Sequence, residues 1–176
     1  MKTKQVTVLS YDEKWKQDFL EIKKEIAEAL GTFAIAVEHV GSTSVEGLAA
    51  KPIIDIDVVV KSDDIERAIQ ALAAIGYIHE GNLGIEGREA FAYEGKEHLQ
   101  RHHLYVCPED SEELKRHLAF RDYLRTHQAA REAYGKAKSA AAKLYPDDID
   151  KYIEYKSPII EEIYADMQAN LPEELR

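Results

Sequence analysis

The segment Ile53-Ile54-Asp55-Ile56-Asp57-Val58-Val59-Val60 constrains the fold of this chain more than any other. Six of its eight residues are β-branched and apolar, so it reads as a strand. The apolar residues fall on both faces, so neither face can lie on a surface. A strand covered above and below requires a sheet with helices packed on it. Within this strand stand two carboxylates. Residues two apart in a strand project from one face with Cα atoms ~6.6 Å apart, so Asp55 and Asp57 point the same way. Side by side and dehydrated they repel, and something positive must offset them. A divalent cation does this simply, because Mg²⁺ accepts one or two carboxylates together with substrate phosphates. Pairing with Lys51 or Arg88, or exposure to water at a strand end, is the alternative.

The remaining pattern supplies the layers. Asp12 caps a helix whose apolar positions are Trp15, Phe19, Ile22, Ile26 and Leu30, with Gly31 as its stop. Phe33 to Val40 reads as a strand, and a turn of Gly, Ser and Thr after it opens a brief helix from Thr43 to Leu48. A second helix begins at Ser62 or Asp63 and ends at Gly76. Tyr77 to Glu80, Phe91 to Tyr93 and His103 to Cys107 are short strands, the first two joined by a glycine-rich connection. From Ser111 onward the pattern is helical, in segments marked by Leu114, Leu118 and Leu124, by Gln128 to Tyr145, and by a cap at Asp147. Ser157-Pro158 predicts a new helix or a kink in the last of these. The expected fold is a mixed α+β domain spanning 1–176, with a sheet-containing core over 1–108 and a helical part over 109–176.

Composition narrows the partners. The chain carries 33 acidic against 23 basic residues, a formal net charge of −10. A holder of DNA or tRNA usually needs a basic face for phosphate contacts, so both are disfavoured. A small anion is compatible, since a few lysines, arginines and backbone amides suffice to hold it. No apolar run approaches the ~20 residues of a membrane span, and the N-terminal stretch does not read as a secretory signal. The single cysteine, Cys107, permits no internal disulfide; it reads as a small buried hydrophobe, and the chain as cytoplasmic.

Gly41-Ser42 lies at a strand-to-helix turn, where free amides and the helix N-terminus make a phosphate site and glycine lets the backbone approach closely. A phosphate held there and a metal held by Asp55 and Asp57 would together grip a nucleoside triphosphate. Gly-Ser after a strand, twelve residues, then Asp-x-Asp in an apolar strand resembles the signature of the nucleotidyltransferase superfamily related to polymerase beta. More closely, EHVGSTSVEGLAAKPIIDIDV, GREAF, HHLYVCPEDSEELKRHLAFRDYLR and YPDDIDKYIEYKSPIIEEI resemble the GrpB family, also called UPF0157, predicted nucleotidyltransferases.

The resemblance implies a nucleotidyltransferase-like mixed sheet with flanking helices. It implies that Gly41, Ser42 and the adjoining Thr43 bind the triphosphate, and that Asp55 and Asp57 bind Mg²⁺ or Mn²⁺. The reaction it implies moves a nucleotidyl group from an NTP to a small-molecule or protein acceptor; a nucleotide- or phosphate-binding module without turnover is the alternative. The superfamily's third carboxylate belongs on a neighbouring strand. Here that strand reads HHLYVC, and His103 or His102 stands in its place. Histidine suits a general base but is a poor Mg²⁺ ligand.

Further candidates come from position. Glu38 and His39 precede the turn and are read as orienting Ser42, the metal or an acceptor, or, for His39, as a core residue. Lys51 is placed to counter a phosphate or an aspartate. Arg88 and Arg101 flank the glycine-rich connection and the histidine strand, and guanidinium forks suit phosphate. Lys156, ahead of Pro158, would reach a ligand from a new helix start. The tyrosines of the tail, Tyr145, Tyr152, Tyr155 and Tyr164, are read as packing between helices rather than stacking on a base.

Overall fold

The computed structural model of the protein describes residues 5–175. Its sheet has five strands in the order β1-β2-β5-β4-β3: β1 (Ala36–Val40), β2 (Ile54–Val60), β3 (Tyr77–Gly81), β4 (Glu89–Tyr93) and β5 (His102–Pro108). The acidic strand β2 is central. It pairs antiparallel with β1 and parallel with β5, and the outer pairs are antiparallel. The sheet is therefore mixed, and the chain has the α+β architecture its pattern predicts.

Both faces of β2 are covered. Ile54, Ile56, Val58 and Val60 join one core with Trp15, Ile22, Ile26 and Leu30 of α1 (Lys14–Leu30) and Ala68 and Leu72 of α2 (Ile65–Ala73). The alternate residues, Asp55, Asp57 and Val59, face the other side. There Val59 packs with Cys107 and Leu114 of α3 (Glu112–Thr126). The helices α4 (Gln128–Leu144) and α5 (Ile149–Ala169) pack on each other. A second apolar group, made by Val45, Leu48, Leu124, Tyr134 and Ile163, ties the turn after β1 to α3, α4 and α5. Two unlike helical layers thus match the two faces of β2, one wholly apolar and the other carrying both carboxylates.

Several local expectations change. Gly31–Phe33 form a 3₁₀ turn, so the first strand starts only at Ala36. The helix expected from Thr43 to Leu48 is a single 3₁₀ turn, Ser42–Ser44, after which Val45 returns to extended backbone. The Ser44 hydroxyl donates to the Gly41 carbonyl at 2.5 Å, which closes the turn locally, and Gly47 with φ 83° cannot extend it. No helix dipole therefore points at the Gly41-Ser42 turn. The last helix cap is Asp148 rather than Asp147, its carboxylate accepting from Lys151 N–H at 3.1 Å. α5 also runs through Pro158 without a new start. Pro158 withholds one backbone donor, while the neighbouring Ser157 hydroxyl donates to the Ile153 carbonyl at 2.7 Å.

Candidate functional site

β1 ends where its Val40 pairs with Asp55, so the turn that follows is held over the acidic strand. Gly41 adopts φ 72°, in the left-handed region. A Cβ there would lie 3.0 Å from Asp55 Cβ and Cγ and closer still to its Oδ2. Glycine is required twice over, for the backbone angle and for the approach of the carboxylate.

Behind the turn, His39 is buried and stacked on Phe19 with ring centroids 4.7 Å apart. Its Nε2 shares a hydrogen bond of 2.9 Å with Thr43 Oγ1, whose proton goes to the Ile53 carbonyl at 3.4 Å, so the histidine is the donor. Burial lowers His39 to about 4 and keeps it neutral. His39 and Thr43 thus brace the turn from within. Tyr134 and Ser42 both line the adjoining cavity, and burial pushes the Tyr134 phenol up to about 12.

The two aspartates each have a histidine partner. Asp55 pairs in register with His103 on β5, and His103 Nδ1 donates to Asp55 Oδ1 at 3.0 Å. Asp57 is fully buried, and His117 Nδ1 of α3 donates to its Oδ2 at 2.6 Å. The other nitrogen of His117 lies 2.9 Å from Glu113 Oε1, an ion pair when the ring is protonated. Burial works against charging this ring, but the hydrogen bond to Asp57 and the charges of Asp57 and Glu113 outweigh it, and its pKa rises. Burial, in turn, raises the Asp57 carboxyl despite the His117 hydrogen bond. Neither Lys51 nor Arg88 pairs with an aspartate. The positive offset that the sequence requires is supplied in part by imidazoles.

The donor set bears on the expected metal. Asp57 Oδ1 is buried with no hydrogen-bond partner, as an oxygen reserved for a cation would be. No group of three or more His, Cys, Asp or Glu among the described residues is arranged to hold an ion. Two carboxylates on one face suit a cation that completes its shell with phosphate and water, as Mg²⁺ does. Glu38 lies opposite Asp57 on β1, but its carboxylate is engaged by Arg121 Nη1 at 2.8 Å.

Beside the turn lies a cavity of about 210 Å³. Gly41, Ser42, Asp55 and His103 line it together with Lys51, Lys138 and Lys156. Lys138 is 2 % exposed, and its Nζ has no hydrogen-bond partner. It sits 4.5 Å over the Tyr134 ring, as Lys156 sits 4.8 Å over Tyr152 and Lys51 5.5 Å over the same tyrosine. Burial lowers all three ammonium groups, joined by neighbouring lysines at Lys138 and Lys156 and by Arg101 at Lys51; Lys156 falls to about 8. Three like charges brought together with one carboxylate nearby are a costly arrangement, which a polyanion would relieve.

The other sequence candidates divide. Lys51 belongs to the cavity. Arg88 lines a second cavity, and Arg101 lines neither. His102 points to the opposite face: its Nδ1 donates to the Gln100 carbonyl at 2.7 Å, and its Nε2 accepts from the Tyr77 hydroxyl at 2.7 Å. Stacked on Tyr93 and lowered to about 4 by burial, it is a core residue, and of the two β5 histidines only His103 pairs with an aspartate. Lys156 reaches the cavity from the middle of α5, not from a helix start.

Sequence reasoning missed His117, Arg121, Arg125, Tyr134 and Lys138. Glu113, His117, Arg121 and Arg125 recur every fourth residue, a polar stripe on α3 that its leucines overshadow. Arg125 donates twice to the Ser44 carbonyl, at 2.8 and 3.0 Å, and Arg121 once to the His39 carbonyl at 3.1 Å. These arginines fasten the turn to α3. Tyr134-Lys138 and Tyr152-Lys156 repeat one four-residue spacing on α4 and α5.

The family described as GrpB protein matches residues 5–166. This chain belongs to the GrpB family. A solved GrpB protein from Enterococcus faecalis superimposes with a TM-score of 0.79 at 36% identity, over 92% of this chain and 96% of that one. UPF0157 protein BH1888 of Halalkalibacterium halodurans is 37% identical over 162 residues, 90% of this chain and 80% of the relative. UPF0157 protein YqkA of Bacillus subtilis is 36% identical over 154 residues, 87% of this chain but 44% of the relative. This GrpB chain therefore spans less than half the length of YqkA. No helix among the described residues is long and apolar enough to cross a membrane.

Proposed function

We propose that this GrpB protein is a nucleotidyltransferase that moves a nucleotidyl group from an NTP to a small-molecule or protein acceptor. The observation that carries the reading is the cavity that three lysines line together with the Gly41-Ser42 turn and Asp55. Lys51, Lys138 and Lys156 would neutralise the triphosphate. Ser42 and the amides of the turn, which Arg125 fastens through the Ser44 carbonyl, would fix its orientation. Asp55 and Asp57 would hold Mg²⁺ (or Mn²⁺), which when bound supplies charge neutralisation at the reacting phosphate.

His103 is the base in this reading. With Nδ1 donating to Asp55, its Nε2 carries the lone pair and takes the proton of the acceptor hydroxyl. The acceptor oxygen bonds to the α-phosphorus, the bond from that phosphorus to the bridging oxygen breaks, and pyrophosphate departs toward the lysines with the bonding pair. Arg121 and His117 hold the site's backbone and Asp57 in place. A reducing, cytoplasmic setting suits the buried thiol of Cys107.

A second reading, a nucleotide- or phosphate-binding module without turnover, is favoured by one feature: histidine, not a carboxylate, faces Asp55 on β5. The two part on pyrophosphate release, measured with each NTP and Mg²⁺ over a panel of hydroxyl acceptors. Release that disappears in His103→Ala supports the transferase. Tight Mg²⁺-dependent binding without release from any acceptor supports the module.

A further inference from the structure

Asp55 does not border one cavity only. A second cavity of about 200 Å³ meets the first at Gly41, Asp55 and Phe120, and its remaining wall is made largely by Arg88, Tyr105 and Tyr164. We infer that this second cavity is the acceptor site, and that it takes a small hydroxylated compound with a flat, unsaturated body and one carboxylate or phosphate group. The inference rests on the nucleotidyl-transfer reading for its role, and on the cavity's own chemistry for the ligand.

Position comes first. A compound in this cavity borders the same Gly41-Asp55 contact as a phosphate in the other. Transfer requires that acceptor and phosphate meet at one such place.

The walls give the body of the ligand. Phe120 and Tyr164 are stacked with centroids 4.9 Å apart and interplanar angle 24°, so they form one continuous aromatic surface. Arg116 fixes the rim of that surface, its Nε donating to the Tyr164 hydroxyl at 3.4 Å. Tyr105 supplies another ring. Flat, unsaturated groups fit such walls by offset stacking. The cavity is smaller than the ~300–1,000 Å³ that drug-sized ligands occupy, which favours a ring-sized compound over a peptide or polynucleotide.

The charge comes from Arg88. Its guanidinium lies 4.3 Å over the Tyr105 ring, and its Nε is buried with no hydrogen-bond partner. A buried donor without a partner is costly unless a ligand completes it. A stacked guanidinium presents its fork edgewise, in the geometry that a carboxylate or phosphate accepts. His117, the other cationic side chain on this wall, has both nitrogens committed to Asp57 and Glu113 and offers the ligand nothing.

The test uses 4-hydroxybenzoate, its neutral analogue 4-hydroxybenzamide, and inorganic tripolyphosphate as separate probes, titrated calorimetrically into the wild-type protein, Arg88→Gln and Lys138→Met. The acid is expected to bind wild type at least about ten-fold more tightly than the amide. That preference disappears in Arg88→Gln and persists in Lys138→Met, while tripolyphosphate shows the reverse dependence. In wild-type protein, independent of how any variant folds, the Arg88 Nε–H resonance shifts with the acid and not with the amide. Equal binding of acid and amide, a preference that survives Arg88→Gln, or an unmoved Arg88 resonance overturns the inference. Loss of tripolyphosphate binding alone would instead remove the phosphate reading of the first cavity and leave this one standing.

Discussion

Replacing Lys156 with methionine is expected to make the protein more stable and its phosphate binding weaker. Burial and the charge of Lys51 take the Lys156 ammonium from its ordinary 10.5 to about 8. At neutral pH the native state carries that charge at a cost of about 3 kcal/mol, from about 1.4 kcal/mol per tenfold change in the protonation equilibrium. Against this stands the cation–π contact with Tyr152, with Nζ 4.8 Å from the centroid, an interaction of about 0.5–2 kcal/mol. The cost is the larger, so Lys156→Met should gain about 1–3 kcal/mol at pH 7. The sign over pH is fixed. Between about 8 and 10.5 the unfolded chain binds the proton and the native state does not, so wild-type stability rises with pH across that window and catches up with the variant. Urea unfolding of both proteins at pH 7 and near pH 10.5 measures this directly. A variant that is no more stable at pH 7, or that keeps the same advantage at both pH values, refutes the reasoning. Tripolyphosphate titrated into wild type near pH 8 should take up protons from the buffer, and less so in Lys156→Met.

Other predictions follow from the same geometry. Gly41→Ala should cost about 1–3 kcal/mol from its left-handed backbone alone, with more from overlap with Asp55, and should abolish nucleotide binding; thermal unfolding and NTP titration check both. His39 and His102 are each lowered to about 4 by burial, so the unfolded chain binds their protons first as pH falls from 6.5 toward 4. Each contributes stability that is present above 6.5 and lost across that window, at most about 3 kcal/mol. His102→Gln should flatten the acid limb of the unfolding curve. Arg125→Ala removes two donors from the Ser44 carbonyl and should weaken NTP binding several-fold with little change in the sheet, visible as unchanged far-ultraviolet dichroism.

The layered sheet was legible because β2 carries its own evidence: apolar residues on both faces predict cover on both, and α1 and α2 lie on one side with α3 on the other. The Gly41-Ser42 and Asp55-Asp57 pairing was legible for a similar local reason, since the turn closes β1 and the aspartates lie on β2, the next strand in the chain. What the sequence hid depends on tertiary contact. Lys138 lies in an alanine-rich helix that reads as ordinary, and only the packing of α4 and α5 brings it to Lys51. His117 reaches Asp57 across 60 residues of chain. The adjacent histidines on β5 could be told apart only by strand register, which turns His103 to Asp55 and His102 to Tyr77. Pro158 misled because a proline rule applies to isolated helices, whereas α5 is held on both sides of it by Tyr152 and Ile163 in two different apolar groups.

The central claim is that Asp55 and Asp57 hold a cation that joins the protein to an NTP in the lysine-lined cavity. Calorimetric titration of ATP with and without Mg²⁺, into wild type and Asp55→Asn/Asp57→Asn, tests it most directly. The account predicts that Mg²⁺ strengthens ATP binding to wild type by at least about ten-fold and leaves the double substitution unaffected. Equal ATP affinity in the two proteins, with Mg²⁺ present, would contradict it.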